Sequence, residues 1–177
     1  MSNITLYIAS SLDGYIADKN GSVVWLEEIP NPEKTDYGYA EFLKEIDTVV
    51  MGRTTYEQVL GFGNDWPYID QHTVVVSSDK SYEPRTQNTT VLSTLHRSVI
   101  EKLRSQSNNG IWLVGGGQMV SAFLKLQAID RMLLFVMPMM LGSGIRLFPE
   151  ESPSLAFKLE NVKNYDSGVV LLDYQKT

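Results

Sequence analysis

Three consecutive glycines, Gly115, Gly116 and Gly117, separate the apolar run IWLV from the helix-like segment QMVSAFL. Glycine has no Cβ and accepts positive φ, so the chain can turn tightly here and aim the N–H groups of the following helix at an anion. A plain strand-to-helix turn explains the same residues, and Gln118, Met119 and Val120 break the GxGxxG spacing of a Rossmann fingerprint. A second site of the same kind lies upstream. In DTVVMGRTTYEQVL another apolar run ends at Gly52, and Arg53, Thr54 and Thr55 open a segment of helical composition. A guanidinium, two hydroxyls and the positive end of a helix dipole together match a phosphate. The alternative makes Thr54 or Thr55 an N-cap and Arg53 a solvated surface charge. Two such sites in one chain point to a dinucleotide.

These residues need strands and helices in a fixed order to bring them together. Apolar, β-branched runs at 4–9, 48–51, 73–76, 89–92, 111–114 and 132–136 alternate with helix-like segments around 37–46, 55–60, 94–105 and 118–126. That alternation predicts an α/β fold with a largely parallel sheet covered by helices on both faces. The end differs: 156–162 and 168–174 flank the turn-rich 164–167 and read as a long antiparallel hairpin, making the sheet mixed. Two long loops, 18–32 and 61–71, are rich in Gly, Pro or acids, and ligand access is expected between them.

The chain has 177 residues, 43% of them hydrophobic, which predicts a single domain spanning 1–177. A net charge of −6 opposes binding to nucleic acid or anionic membrane, so any phosphate site must be local. The absence of cysteine removes disulfides, thiolate metal sites and cysteine nucleophiles. His72 and His96 have no second candidate ligand nearby, so no metal is expected. MSNITLYIA enters a strand pattern without a basic or long apolar leader, and a cytoplasmic protein is the expectation.

MGRTTYE, then VVVSS at 74–78, then LVGGGQM, in that order and spacing, resemble the dihydrofolate reductase fold. ASSLDGYIA at 9–17 and PMMLGSGIRLF at 138–148 resemble one branch of it: the reductase, C-terminal, domain of the bifunctional riboflavin-biosynthesis deaminase-reductase, with its stand-alone relatives. The resemblance implies NADPH as cofactor. Gly52, Arg53, Thr54 and Thr55 would hold its phosphates, with Arg53 toward the 2′-phosphate. Ser77 and Ser78 would border the adenosine side. Val114, Gly115 and Gly116 would carry the glycine pair that is joined by a cis peptide in dihydrofolate reductases. Gly117, Gln118 and Met119 would offer helix amides to the pyrophosphate, and the backbones of Ala9 and Ile16 would face the nicotinamide carboxamide.

For catalysis the resemblance offers two carboxylates. Asp36 lies near the place of the acid that binds the pterin in dihydrofolate reductases, although the hydroxyl partner expected on a later strand is replaced by Phe135; the competing reading is a helix-start cap. Asp13, in SLDG, would stand beside the nicotinamide pocket, with an ordinary turn as the competing reading. Leu141, Gly142, Ser143 and Gly144 would line the opposite wall against substrate. The missing cysteines exclude the zinc site of the deaminase half. Outside Arg53, a ribose phosphate would find only Arg146 and Lys80. The expected activity is NADPH-dependent hydride transfer to a C=N or C=O carbon of a small heterocycle, with the pyrimidine ribosylamino-phosphate reductase of riboflavin synthesis first, dihydrofolate or pterin reduction second, and an NADPH-binding module without turnover third. The long terminal hairpin and the habit of related domains predict a homodimer.

Overall fold

The computed structural model describes all residues except Asn64 and Glu151. Its first strand, β1 (Ile4–Ser11), is also its central one. Ile4, Leu6 and Ile8 point to one side and Tyr7 and Ala9 to the other, and both sides are apolar because both are covered. β2 (Tyr15–Ala17) follows a tight turn, and α1 (Tyr39–Lys44) leads into β3 (Ile46–Gly52) and α2 (Arg53–Gly61). β4 (His72–Val76), β5 (Thr89–Leu92), α3 (Arg97–Gln106), β6 (Gly110–Gly115), α4 (Gly117–Lys125) and β7 (Arg131–Met137) complete the alternating part. β8 (Ile145–Arg146) and the hairpin of β9 (Phe157–Asn164) and β10 (Val170–Lys176) end the chain.

The main sheet runs in the order β5-β4-β3-β6-β1-β7-β10-β9, parallel from β5 to β7 and antiparallel at β10 and β9. α3 and α4 cover one face with Ile100, Leu103, Val120 and Phe123. α1, α2 and a 3-10 helix at Val24–Glu28 cover the other with Phe42, Tyr56 and Trp25, packed on Val49, Met51, Trp112 and Phe135. Among the described residues no helix is long and apolar enough to cross a membrane.

The expected strands all form, and the differences have local causes. α1 starts two residues late because Tyr37 and Gly38 both take positive φ (56° and 86°), a turn that helix cannot continue through. α2 starts early, at Arg53, with Gly52 as its N-cap, so Thr54 and Thr55 lie inside the first turn and neither is the cap. α3 starts at Arg97 after an extended His96. β2 and β8 were not anticipated; they pair with each other as a separate two-stranded sheet too short to show a period.

The amino edge of the parallel strands is closed by carboxylates. Asp130 accepts the Ile4 N–H at 2.8 Å and the Arg104 guanidinium at 2.6 Å. Asp47 accepts the Ser107 hydroxyl at 2.7 Å and the amides of Asn108 and Asn109. Burial opposes the Asp47 charge, yet these donors outweigh it and hold its carboxyl below the ordinary range.

Candidate functional site

The carboxyl edge is built the opposite way. β3 and β6 are neighbours, with Met51 opposite Gly115, so the two glycine motifs end side by side. From there α2 leaves toward one face and α4 toward the other, and among the described residues no side chain caps either start. The first-turn N–H groups of both helices thus converge on one edge without a side-chain acceptor, which is the chemistry of an anion site. The loops touch: a Cβ on Gly52 would stand 3.2 Å from Met119 Cγ, and one on Gly116 would stand 3.5 Å from Thr55 Oγ1. The Gly115–Gly116 peptide is cis, as the resemblance implied. A linear, doubly charged pyrophosphate fits this donor set. Val114 leads into it, and Gln118 is exposed beside it.

Gly117 has a role the sequence did not disclose. A Cβ there would fall 2.7 Å from the Arg146 carbonyl oxygen, so the residue makes room for β8. The signal was out of reach because β8 is two residues long.

At the end of β4, Ser77 is buried and Ser78 exposed. Ser77 Oγ accepts the Asp79 N–H at 3.2 Å, and Asp79 Oδ1 accepts both the amide (3.0 Å) and the hydroxyl (2.7 Å) of Ser81. Asp79 Oδ2 meets Arg53 Nη1 at 3.2 Å, Glu57 Oε1 lies 3.9 Å from Arg53 Nε, and the guanidinium carbon is 5.5 Å from the Tyr82 ring centre. Arg53 thus stands partly exposed at the start of α2, with Asp79 in salt-bridge contact and Glu57 at the edge of that range.

The far end of the edge lies at the β1–β2 turn. Ala9 sits on the face of Tyr7, opposite Phe135 of β7, and Ile16 sits on the face of the α4 core. Asp13 accepts the Ser11 hydroxyl at 2.6 Å, the Leu141 amide at 3.1 Å and the Gly142 amide at 2.7 Å. These bonds, Ser11 foremost, hold its carboxyl below the ordinary range despite a desolvation cost. Gly144, at φ 152°, packs on the Ala17 backbone, so the 141–144 loop that also includes Ser143 is fastened to the turn at both ends. Asp36 is exposed, and its two oxygens accept the amides of Gly38 and Ala40, both at 2.9 Å, with Ala40 the main reason its carboxyl is held low.

Both carboxylates named from the sequence as catalytic candidates are engaged by the fold itself. A carboxylate surrounded by N–H and O–H donors is stabilised as the anion and is a poor proton source. Asp13 is a loop clamp and Asp36 a helix-start cap. Phe135 is buried, 4.6 Å from the Tyr7 ring and 6.3 Å from Tyr37, with no hydroxyl to support an acid at position 36. Sequence reasoning missed Tyr7, although it stands two residues before Ala9 on the same face of β1. Its ring stacks on Phe42 at 4.5 Å, and burial, with Tyr165 and Asp36 nearby, raises its hydroxyl pKa well above the ordinary value. Tyr37 and Tyr165 extend this aromatic wall and tie the β9–β10 turn to it through bonds from Tyr37 to Ser167 (3.1 Å) and from Tyr165 to the Tyr37 carbonyl (3.2 Å). Of the two cations nominated for a ribose phosphate, Arg146 is exposed with its guanidinium 5.1 Å from the Tyr15 ring centre, and Lys80 is exposed next to Asp79 at the opposite end.

A family model described as the RibD C-terminal domain matches residues 2–171. The uncharacterized Bacillus subtilis (strain 168) protein YwjB is 37% identical over 167 residues, 94% of this chain and 94% of that protein. Among solved structures, a putative riboflavin biosynthesis protein from Shewanella sp. PV-4 superposes with a TM-score of 0.90 at 34% identity, covering 100% of this chain and 99% of that one. A diaminohydroxyphosphoribosylaminopyrimidine deaminase/5-amino-6-(5-phosphoribosylamino)uracil reductase from Thermotoga maritima (TM-score 0.72, 18% identity) covers 99% of this chain and 57% of that one. An Enterococcus faecalis dihydrofolate reductase complexed with NADP(H) and RAB-propyl (TM-score 0.70, 17% identity) covers 99% and 96%, and the fold is dihydrofolate reductase-like.

Proposed function

From the premise that this chain belongs to the RibD C-terminal domain family, we propose that it is an NADPH-dependent reductase of a small heterocyclic substrate, with a 5-amino-6-(5-phosphoribosylamino)uracil-like pyrimidine as the leading candidate. The observation that carries this reading is the meeting of two uncapped helix starts at adjacent strand ends, β3 into α2 and β6 into α4. When bound, NADPH supplies hydride from its nicotinamide to a polarised C=N or C=O carbon. The chain's own residues hold and orient. Gly52, Thr54 and Thr55 with residues 115–119 take the pyrophosphate, Ser77 and Ser78 the adenosine side, and the Ala9 and Ile16 backbones the carboxamide.

On the substrate side, Tyr7, half-buried against Phe42, Trp112 and the buried Phe135, offers an aromatic contact to a planar ring. Tyr7 retains its proton and can donate a hydrogen bond to a substrate nitrogen or oxygen there. The fastened 141–144 loop restricts water on the other side. Dihydrofolate reduction is the weaker reading, since Asp36 caps α1 and Phe135 replaces the hydroxyl. The test is NADPH oxidation followed spectrophotometrically with the pyrimidine substrate and with dihydrofolate. Turnover of the first supports the proposal, and turnover of dihydrofolate alone replaces it with pterin reduction. Tight NADPH binding with neither reaction would make the protein a binding module.

A further inference from the structure

We infer that Asp79 sets this chain's discrimination between NADPH and NADH, by competing with the cofactor's 2′-phosphate for Arg53. The inference rests on the nucleotide reading above and goes further by naming the residue that limits it. Arg53 begins α2 at the strand end next to Ser77 and Ser78, and its guanidinium is already met by Asp79 at 3.2 Å and Glu57 at 3.9 Å. Asp79 is exposed, yet its loop holds it in place. Its other oxygen is engaged by the amide and hydroxyl of Ser81, and its own amide by Ser77 Oγ, so Oδ2 is aimed at Arg53 by the loop itself.

A 2′-phosphate arriving at Arg53 must displace this carboxylate or sit beside it as a second anion, and either weakens binding. A 2′-hydroxyl has the opposite relation to the same group, because it can donate to the carboxylate, the arrangement by which an acid reads the ribose of NADH. Asp79 therefore opposes NADPH and tolerates NADH, while Arg53 favours NADPH. The preference for NADPH in the parent protein is the residue of these two effects and is small.

The test is calorimetric titration of the full chain with NADPH, NADH, 2′,5′-ADP and 5′-ADP. Asp79→Asn keeps an oxygen for the Ser81 turn and removes the charge. NADPH and 2′,5′-ADP are expected to bind about tenfold more tightly to it, while NADH and 5′-ADP stay within about twofold. Arg53→Ala in the same background should abolish the gain. Asp79→Ser, which also removes the charge, serves if Asp79→Asn folds poorly. An unchanged or weakened NADPH affinity in whichever of the two variants folds overturns the inference, because Asp79 would then be orienting Arg53 for the phosphate. If the parent binds neither dinucleotide, the nucleotide reading falls first and this inference falls with it.

Discussion

Tyr7 and Asp13 show how little a residue's type says until its neighbours are known. A tyrosine in a strand reads as core, and an Asp before Gly reads as a turn; the first stands unused on the wall of the proposed substrate site and the second ties together segments 128 positions apart. Tyr7→Phe should lower kcat by up to about tenfold, the worth of one hydrogen bond to the substrate, while leaving the NADPH dissociation constant unchanged. An equal loss in cofactor binding would make Tyr7 a packing residue. Asp13 leads to a prediction about acid. Its pKa is lowered in the folded chain, so its stabilising effect is fully present above the unfolded value of about 3.9 and is lost as pH falls through the folded value. Asp13→Asn should therefore be less stable than the parent near neutrality, with the gap closing below about pH 4. Urea midpoints measured from pH 7 down to pH 3 read this directly, and a gap that persists or widens in acid would dissociate Asp13 from the clamp.

The elements of the parallel sheet were legible because each strand spans several residues of one period, and the two anion-facing helix starts because glycine leaves a visible signature. What escaped was whatever depended on contact between distant short pieces. β2 and β8 have three and two residues, too few for alternation to register. The ion pair from Arg53 to Asp79 joins the first residue of α2 to the loop after β4, although Glu57, one helical turn after Arg53, was open to inspection. The neighbouring glycines of α4 separate these levels experimentally. Gly117→Ala drives a Cβ into the Arg146 carbonyl and should cost about 1–3 kcal/mol of folding stability, as overpacking does. Gly116→Ala meets only Thr55 Oγ1 at ordinary contact distance, so it should fold normally and lose NADPH affinity about tenfold or more, because the added methyl occupies the approach to the α4 amides. Reversed effects, with Gly116→Ala unfolding and Gly117→Ala weakening only the cofactor, would contradict the assignment of the two glycines.

On the scale of the whole molecule the hairpin matters through its outer strand. β10 is an interior strand bonded to β7, whereas β9 has one side of its ladder free, with Leu159 and Val162 about half exposed on it. A bare, partly apolar edge invites pairing, and Lys158, Glu160 and Lys163 oppose it only in part. We expect a homodimer at micromolar concentration that is converted to monomer by Leu159→Lys with Val162→Lys, without change in the thermal midpoint. Light scattering decides, and a monomeric parent refutes it.

The centrality of β1 has a further consequence, for biosynthesis. Its two hydrogen-bonded neighbours are supplied by residues 110–115 and 131–137, so β1 is flanked only after about a hundred further residues have been made. At ordinary elongation rates that wait is on the order of ten seconds. Throughout it the apolar segment ITLYIAS lacks its sheet neighbours, and the same wide sequence separation of contacts slows the folding of the finished sheet.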